Sequence, residues 1–141
     1  MDEQANSYFG LIVSNGEQVA LWRIGRLWEL AASLPVQMVH LADLTLYLDE
    51  SPPGWDGTSP TLRNIAVCAR RINQADLSYP IIRSVDGVIL DGRHRIAKAW
   101  MLGHDTIAAV QFTVDPLPDS SLNPYDLHLA EGKVNRYIPP R

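Results

Sequence analysis

YPIIRSVDGVILDGRHRIAKAWMLGHDTIAAVQF, residues 79–112, places a glycine and three basic side chains between a short hairpin and a helix. Pro80-Ile81-Ile82-Arg83 and Gly87-Val88-Ile89-Leu90 read as strands around Asp86-Gly87, a dipeptide suited to a tight hairpin because its glycine accepts a positive φ. Asp91-Gly92-Arg93-His94-Arg95 then runs into Ile96-Ala97-Lys98-Ala99-Trp100-Met101-Leu102, which contains good helix formers and no breaker before Gly103. A strand that feeds straight into a helix presents first-turn N–H groups with no intrahelical partner, at the positive end of the helix dipole. A phosphate placed there meets donors already aimed at it. Gly92 lets the backbone come close to a ligand, and Arg93 or Arg95 can fork two hydrogen bonds onto phosphate oxygens. Lys98 lies one turn beyond His94 on the same face. In the competing reading Asp91 caps the helix and the basic residues are simply solvated.

Leu90-Asp91-Gly92-Arg93-His94-Arg95, Ala97 and Ala99 within the helix, the Leu102-Gly103 pair, and the strand-like Thr106-Ile107-Ala108-Ala109-Val110 together resemble the ParB/sulfiredoxin-like superfamily. Val39-His40-Leu41-Ala42-Asp43-Leu44 is similar to the first strand of that fold, with less specificity. The resemblance implies different chemistry in different branches. Sulfiredoxins carry their catalytic cysteine where this chain has Arg93, and the one cysteine here, Cys68, lies outside the motif on an expected helix. Sulfinic acid reduction needs a thiolate beside the phosphates, so that activity is not expected. Centromere-binding ParB proteins have Glu-Arg-Arg in place of Arg93-His94-Arg95 and continue into a helix-turn-helix domain, a pattern this sequence does not carry. A third branch phosphorylates free serine with a nucleoside diphosphate, using a carboxylate that follows the first strand. Asp49 and Glu50 occupy a comparable stretch and are the candidate general bases.

The composition sets the remaining bounds. A chain of 141 residues with 46% hydrophobic and 20% charged residues fits one soluble domain with an ordinary core. No apolar run reaches membrane-spanning length, and MDEQANSY has acids where a signal peptide has basic residues. With a single cysteine, no internal disulfide forms, so a reducing cytoplasm is the expected location. The net charge of −4 argues against DNA binding by the isolated chain, because phosphate neutralisation normally demands a basic excess. His40, His94, His104 and His128 lack the paired spacing of zinc ligands, and no resident metal is expected. No nucleophile elbow, Walker loop or Rossmann fingerprint is present.

Elsewhere, Tyr8–Val13 reads as a strand, and Ser14-Asn15-Gly16 as a turn that closes a hairpin or starts a helix. Leu21, Ile24, Trp28 and Ala31 have the spacing of one helix face, which predicts a helix over Glu17–Ser33 with Trp22, Leu27 and Trp28 as core residues. Val36–Leu44 is a strand region. Tyr47–Pro60 is a loop by its proline and glycine content, and it carries Asp49, Glu50 and Trp55. Ser59 as N-cap and Pro60 in the first turn open a helix to about Gln74, with Leu62, Ile65, Ala66, Ala69 and Ile72 on one side and Arg63, Arg70 and Arg71 on the other.

These readings give an α/β (α+β) domain with a small mixed sheet flanked by helices, spanning residues 1–114. An extended Pro-rich tail over 115–141 is expected to dock through Tyr125, Leu127, Leu129, Tyr137 and Ile138, on the domain or on a neighbouring subunit of a homodimer. The expected function is binding of a nucleotide (ATP, ADP or CTP, with Mg²⁺ carried on its phosphates) or of a phosphate compound at Asp91, Gly92, Arg93, His94, Arg95 and Lys98. Phosphoryl transfer or nucleotide hydrolysis is the matching reaction class, and it requires Asp43, Asp49 or Glu50 in the site. The alternative is a non-catalytic adaptor that binds a protein or a DNA-bound partner and needs no such carboxylate.

Overall fold

The structure, a computed structural model, describes residues 5–13, 18–50, 60–129 and 134–137. The chain divides into two compact units, Met1–Ser33 with Val114–Arg141, and Leu34–Thr113. Each has its own four-stranded mixed sheet, so the class is α+β.

In the first unit β1 (Tyr8–Val13) and β2 (Gln18–Arg23) form an antiparallel hairpin with Phe9 opposite Trp22. The two rings meet at 6.0 Å between centroids. The 115–141 segment supplies both outer strands: β7 (Ser120–Leu122) pairs antiparallel with β2, and β8 (Val134–Tyr137) pairs parallel with β1. This is why the C-terminal segment from Val114 groups with the N-terminal segment in one unit. The Trp22 indole donates to the Pro116 carbonyl at 2.8 Å, and Asp119 accepts from the Arg23 amide at 2.8 Å.

The helix expected over Glu17–Ser33 is half strand. Gln18–Arg23 is β2, and only α1 (Ile24–Ala31) is helical. The helical spacing of Leu21 with Ile24 is a coincidence at a strand–helix junction. Val19, Ala20 and Leu21 are buried in succession, as in a strand covered on both faces, whereas Ile24, Leu27 and Ala31 form the buried stripe of α1. Leu27 is fully buried, which stabilises by about 1.5–3 kcal/mol, whereas Trp28 is only half-buried. The Ser14-Asn15-Gly16 turn and Ile138 lie outside the described residues.

In the second unit the strand order is β3-β6-β4-β5. β3 (Gln37–His40) is shorter than the Val36–Leu44 region, because Leu41–Leu44 turns into a 3-10 helix that drops Leu41 and Leu44 into the core. β4 (Ile81–Arg83) and β5 (Ile89–Asp91) form the expected hairpin. Gly87 takes φ 87° and donates to the Ser84 carbonyl at 3.0 Å, closing the turn. β6 (Thr106–Gln111) runs parallel to β4 and antiparallel to β3. The parallel β4–β6 pair requires a crossover, which the helix after β5 provides. The core gathers Leu41, Leu44, Ile81, Ile89, Ile96 and Ile107. Among the described residues no helix is long and apolar enough to cross a membrane.

Candidate functional site

The site residues from Asp91 to Lys98 depend on how the chain leaves β5. Gly92 is the turning point, with φ 122°, a backbone state closed to other residues without strain. A Cβ at position 92 would sit 2.5 Å from Ile81 Cγ2. The glycine thus seats the chain directly on β4, and α2 (Thr45–Leu48) and α4 (Arg93–Met101) pack nearby on the same core. The latter helix begins three residues earlier than its apolar run indicated, with Gly92 at the N-cap position. Its end is as expected: Gly103 (φ 77°) donates to Trp100 and His104 to Ala99, a Schellman stop.

Asp91, one residue before the N-cap, holds the Arg95 guanidinium at 2.7 Å, and both side chains are largely covered. Arg95 also donates to the carbonyls of Tyr79 at 3.2 Å and Pro80 at 2.9 Å. Arg95 therefore ties the start of α4 to the segment entering β4. Lys98 is spent in a similar way. Its ammonium donates to the carbonyls of Asn73 (2.8 Å) and Ala75 (2.6 Å), at the end of α3 (Leu62–Gln74). There it satisfies orphan acceptors and meets the negative end of that helix dipole. Arg95 and Lys98 are thus engaged by the fold, and apart from Asp91, four residues before Arg95, their acceptors lie 15 to 25 residues away, out of reach of local sequence.

Arg93 differs. Its guanidinium lies 5.6 Å from the centroid of the Tyr47 ring, and 3.7 Å from Glu50 Oε2. Tyr47 is itself anchored, its hydroxyl accepting from the Ile89 amide at 3.1 Å. Tyr47 lies on a short helix rather than in the loop expected from Tyr47 onward, and the spacing Leu44-x-x-Tyr47-Leu48 is the signal for it. α2 carries Tyr47 under the arginine and releases the chain at Asp49, whose amide donates to Leu46. Of the three candidate carboxylates, Glu50 is the one that reaches the motif. Asp49 is exposed beside it, and Asp43 is exposed in the 3-10 turn. His94 is half-buried in the first turn of α4. Trp55 lies outside the described residues, as does Ser59, the expected cap of α3. Thr61 performs that role, its hydroxyl accepting from the Asn64 amide at 3.1 Å.

Arg63 and Arg70 are exposed and Arg71 half-buried on α3, which meets α4 at its C-terminal end. Among the described residues no three His, Cys, Asp or Glu side chains converge as metal ligands. The site thus reduces to Arg93, held between an aromatic face and a carboxylate at the start of a helix.

Comparison with models of known protein families, with curated proteins and with solved structures found no match.

Proposed function

We propose that the start of α4 binds a phosphate-bearing small molecule, with a nucleotide (ATP, ADP or CTP) as the leading class. One observation carries the reading: the Arg93 guanidinium is partly covered, lies over Tyr47, and is met by Glu50 at a long 3.7 Å. A contact of that length in partial solvent is weak and exchangeable. A phosphate brings more charge and more acceptors than a carboxylate, and the positive end of α4 adds to the attraction because no acidic residue lies in its first turn. His94, half-buried in the same first turn, is the second residue we assign to the anion. Asp91, Gly92, Arg95 and Lys98 then act as the frame that fixes Arg93 and His94 rather than as direct partners.

Glu50, once displaced from Arg93, is the group suited to hold Mg²⁺ carried on a nucleotide or to accept a proton from an acceptor hydroxyl. Phosphoryl transfer or nucleotide hydrolysis is the reaction class this pairing of cation and carboxylate supports. A cytoplasmic location is supported by the single cysteine, Cys68, which is free and half-buried on α3. DNA is a poor fit for the isolated chain, given its net charge of −4.

Calorimetric titration of the full chain with ATP, ADP, CTP and inorganic phosphate, each with and without Mg²⁺, tests the reading. Saturable binding of at least one of them is expected. Its absence at millimolar concentration would leave the adaptor reading in its place.

A further inference from the structure

None of the thirteen residues of α3 is buried. The helix is attached through one side and one end: Cys68, Arg71 and Ile72 are half-buried, and Lys98 grips the carbonyls at its C-terminus. Among the described residues nothing buries its other long face. Leu62, Ile65, Ala66 and Ala69 follow the i, i+3, i+4, i+7 spacing of one stripe, and all are exposed, Leu62 at 86% and Ile65 at 46%. Helices of this length are marginal in water without tertiary packing, and an apolar stripe left in water forfeits about 25 cal/mol per Å² of burial. Such a stripe on a helix capped at both ends, by Thr61 and by Lys98, has the form of an interaction surface.

Charge selects the occupant. The chain has 16 acidic and 12 basic residues, yet residues 60–75 contain three arginines and no acid. Arg63 and Arg70 are exposed and lie two turns apart along one flank of the stripe. Antiparallel pairing of two copies through this face would set those two flanks against each other, and the like charges would repel. Side chains of opposite sign relieve them.

We infer that the exposed stripe of α3 is a docking surface for an acidic amphipathic helix of another protein, which lays Leu- or Ile-type side chains on Leu62, Ile65 and Ala69 and sets Asp or Glu beside Arg63 and Arg70. This is helix-on-helix recognition with complementary flanks. It does not depend on the anion site at Arg93.

The test uses the full chain and two fluorescent synthetic helical peptides with the same leucine stripe, one flanked by Glu and the other by Lys. By anisotropy the Glu peptide should bind saturably, and the Lys peptide about 10-fold more weakly or worse. Leu62→Ser with Ile65→Ser should weaken the Glu peptide about 10-fold or more, while the melting curve barely moves because both side chains are exposed. Arg63→Glu with Arg70→Glu should invert the preference between peptides. Equal binding of the two peptides would overturn the inference, as would no saturable binding of the Glu peptide at millimolar concentration. A wild-type chain that is dimeric by light scattering and becomes monomeric on Leu62→Ser would also overturn it, by naming a second copy as the occupant.

Discussion

Gly92 and Ile81 are packed so closely that a Cβ added to the glycine would lie 2.5 Å from Cγ2 of the isoleucine, and the glycine holds φ 122°. Gly92→Ala therefore combines backbone strain with overpacking of the core, each about 1–3 kcal/mol. The expected loss in chemical denaturation is about 2–5 kcal/mol. A loss below about 0.5 kcal/mol, the size of an ordinary surface change, would show that the turn relaxes freely and does not frame the site.

Arg95 and Asp91 should behave as a structural pair. Arg95→Ala removes the ion pair to a largely covered carboxylate and the guanidinium hydrogen bonds to two carbonyls, and a loss of about 2–4 kcal/mol in stability is expected. Adding Asp91→Ala should recover part of that loss, because the carboxylate that lost its ion pair goes with it. Strict additivity in the double-mutant cycle would argue that the two side chains act independently. Lys98→Ala should cost about 1 kcal/mol, as the loss of a charged cap on the end of α3.

The hairpin turn at Gly87, the strand-to-helix passage at Gly92 and the stop at Gly103 were legible in the sequence because each depends on a glycine at a position that needs positive φ, a strictly local requirement. The roles of Arg95 and Lys98 were not legible. Both have the charge and spacing of phosphate ligands; the i,i+4 spacing of Asp91 and Arg95 was the one local sign of bracing, and the Tyr79, Pro80, Asn73 and Ala75 carbonyls are distant in sequence. β2 was misread for a related reason. Strand pairing is non-local, and Leu21 fell by chance on the helical stripe of Ile24 and Ala31, while the partners that make it a strand are Gly10 and Ser120. Glu50 was legible as a carboxylate after the first strand, but Tyr47, which supports Arg93, was not.

Cys68→Ser should leave phosphate or nucleotide affinity within about twofold of wild type, since the thiol is half-buried on α3 and acts as a small hydrophobe. Ligand binding or turnover lost in that variant, with the fold intact by circular dichroism, would point to thiol chemistry instead.

Asp76 offers a pH-dependent check on the turn between α3 and β4. Hydrogen bonds from the Ser78 hydroxyl (2.7 Å) and amide (2.9 Å) hold its carboxyl below its ordinary value, with a smaller contribution from Lys98 and Arg95. A depressed folded-state value means that the contribution to stability is present above the unfolded-state value and is lost as pH falls through the folded one. Ser78→Ala should raise the Asp76 midpoint in an NMR titration toward its ordinary value. An unchanged midpoint would assign the depression to something other than Ser78.

The central claim, that Arg93 is the exchangeable cation of an anion site, predicts opposite responses from its two sides. In calorimetric titration with inorganic phosphate and the best-binding nucleotide, without Mg²⁺, Arg93→Ala should weaken binding about 10-fold or more, the scale of one charge-assisted hydrogen bond. Glu50→Gln should strengthen it about 3- to 10-fold, because the competing carboxylate 3.7 Å from Arg93 becomes neutral. Unchanged or weaker phosphate binding in Glu50→Gln, together with wild-type affinity in Arg93→Ala, would contradict the account.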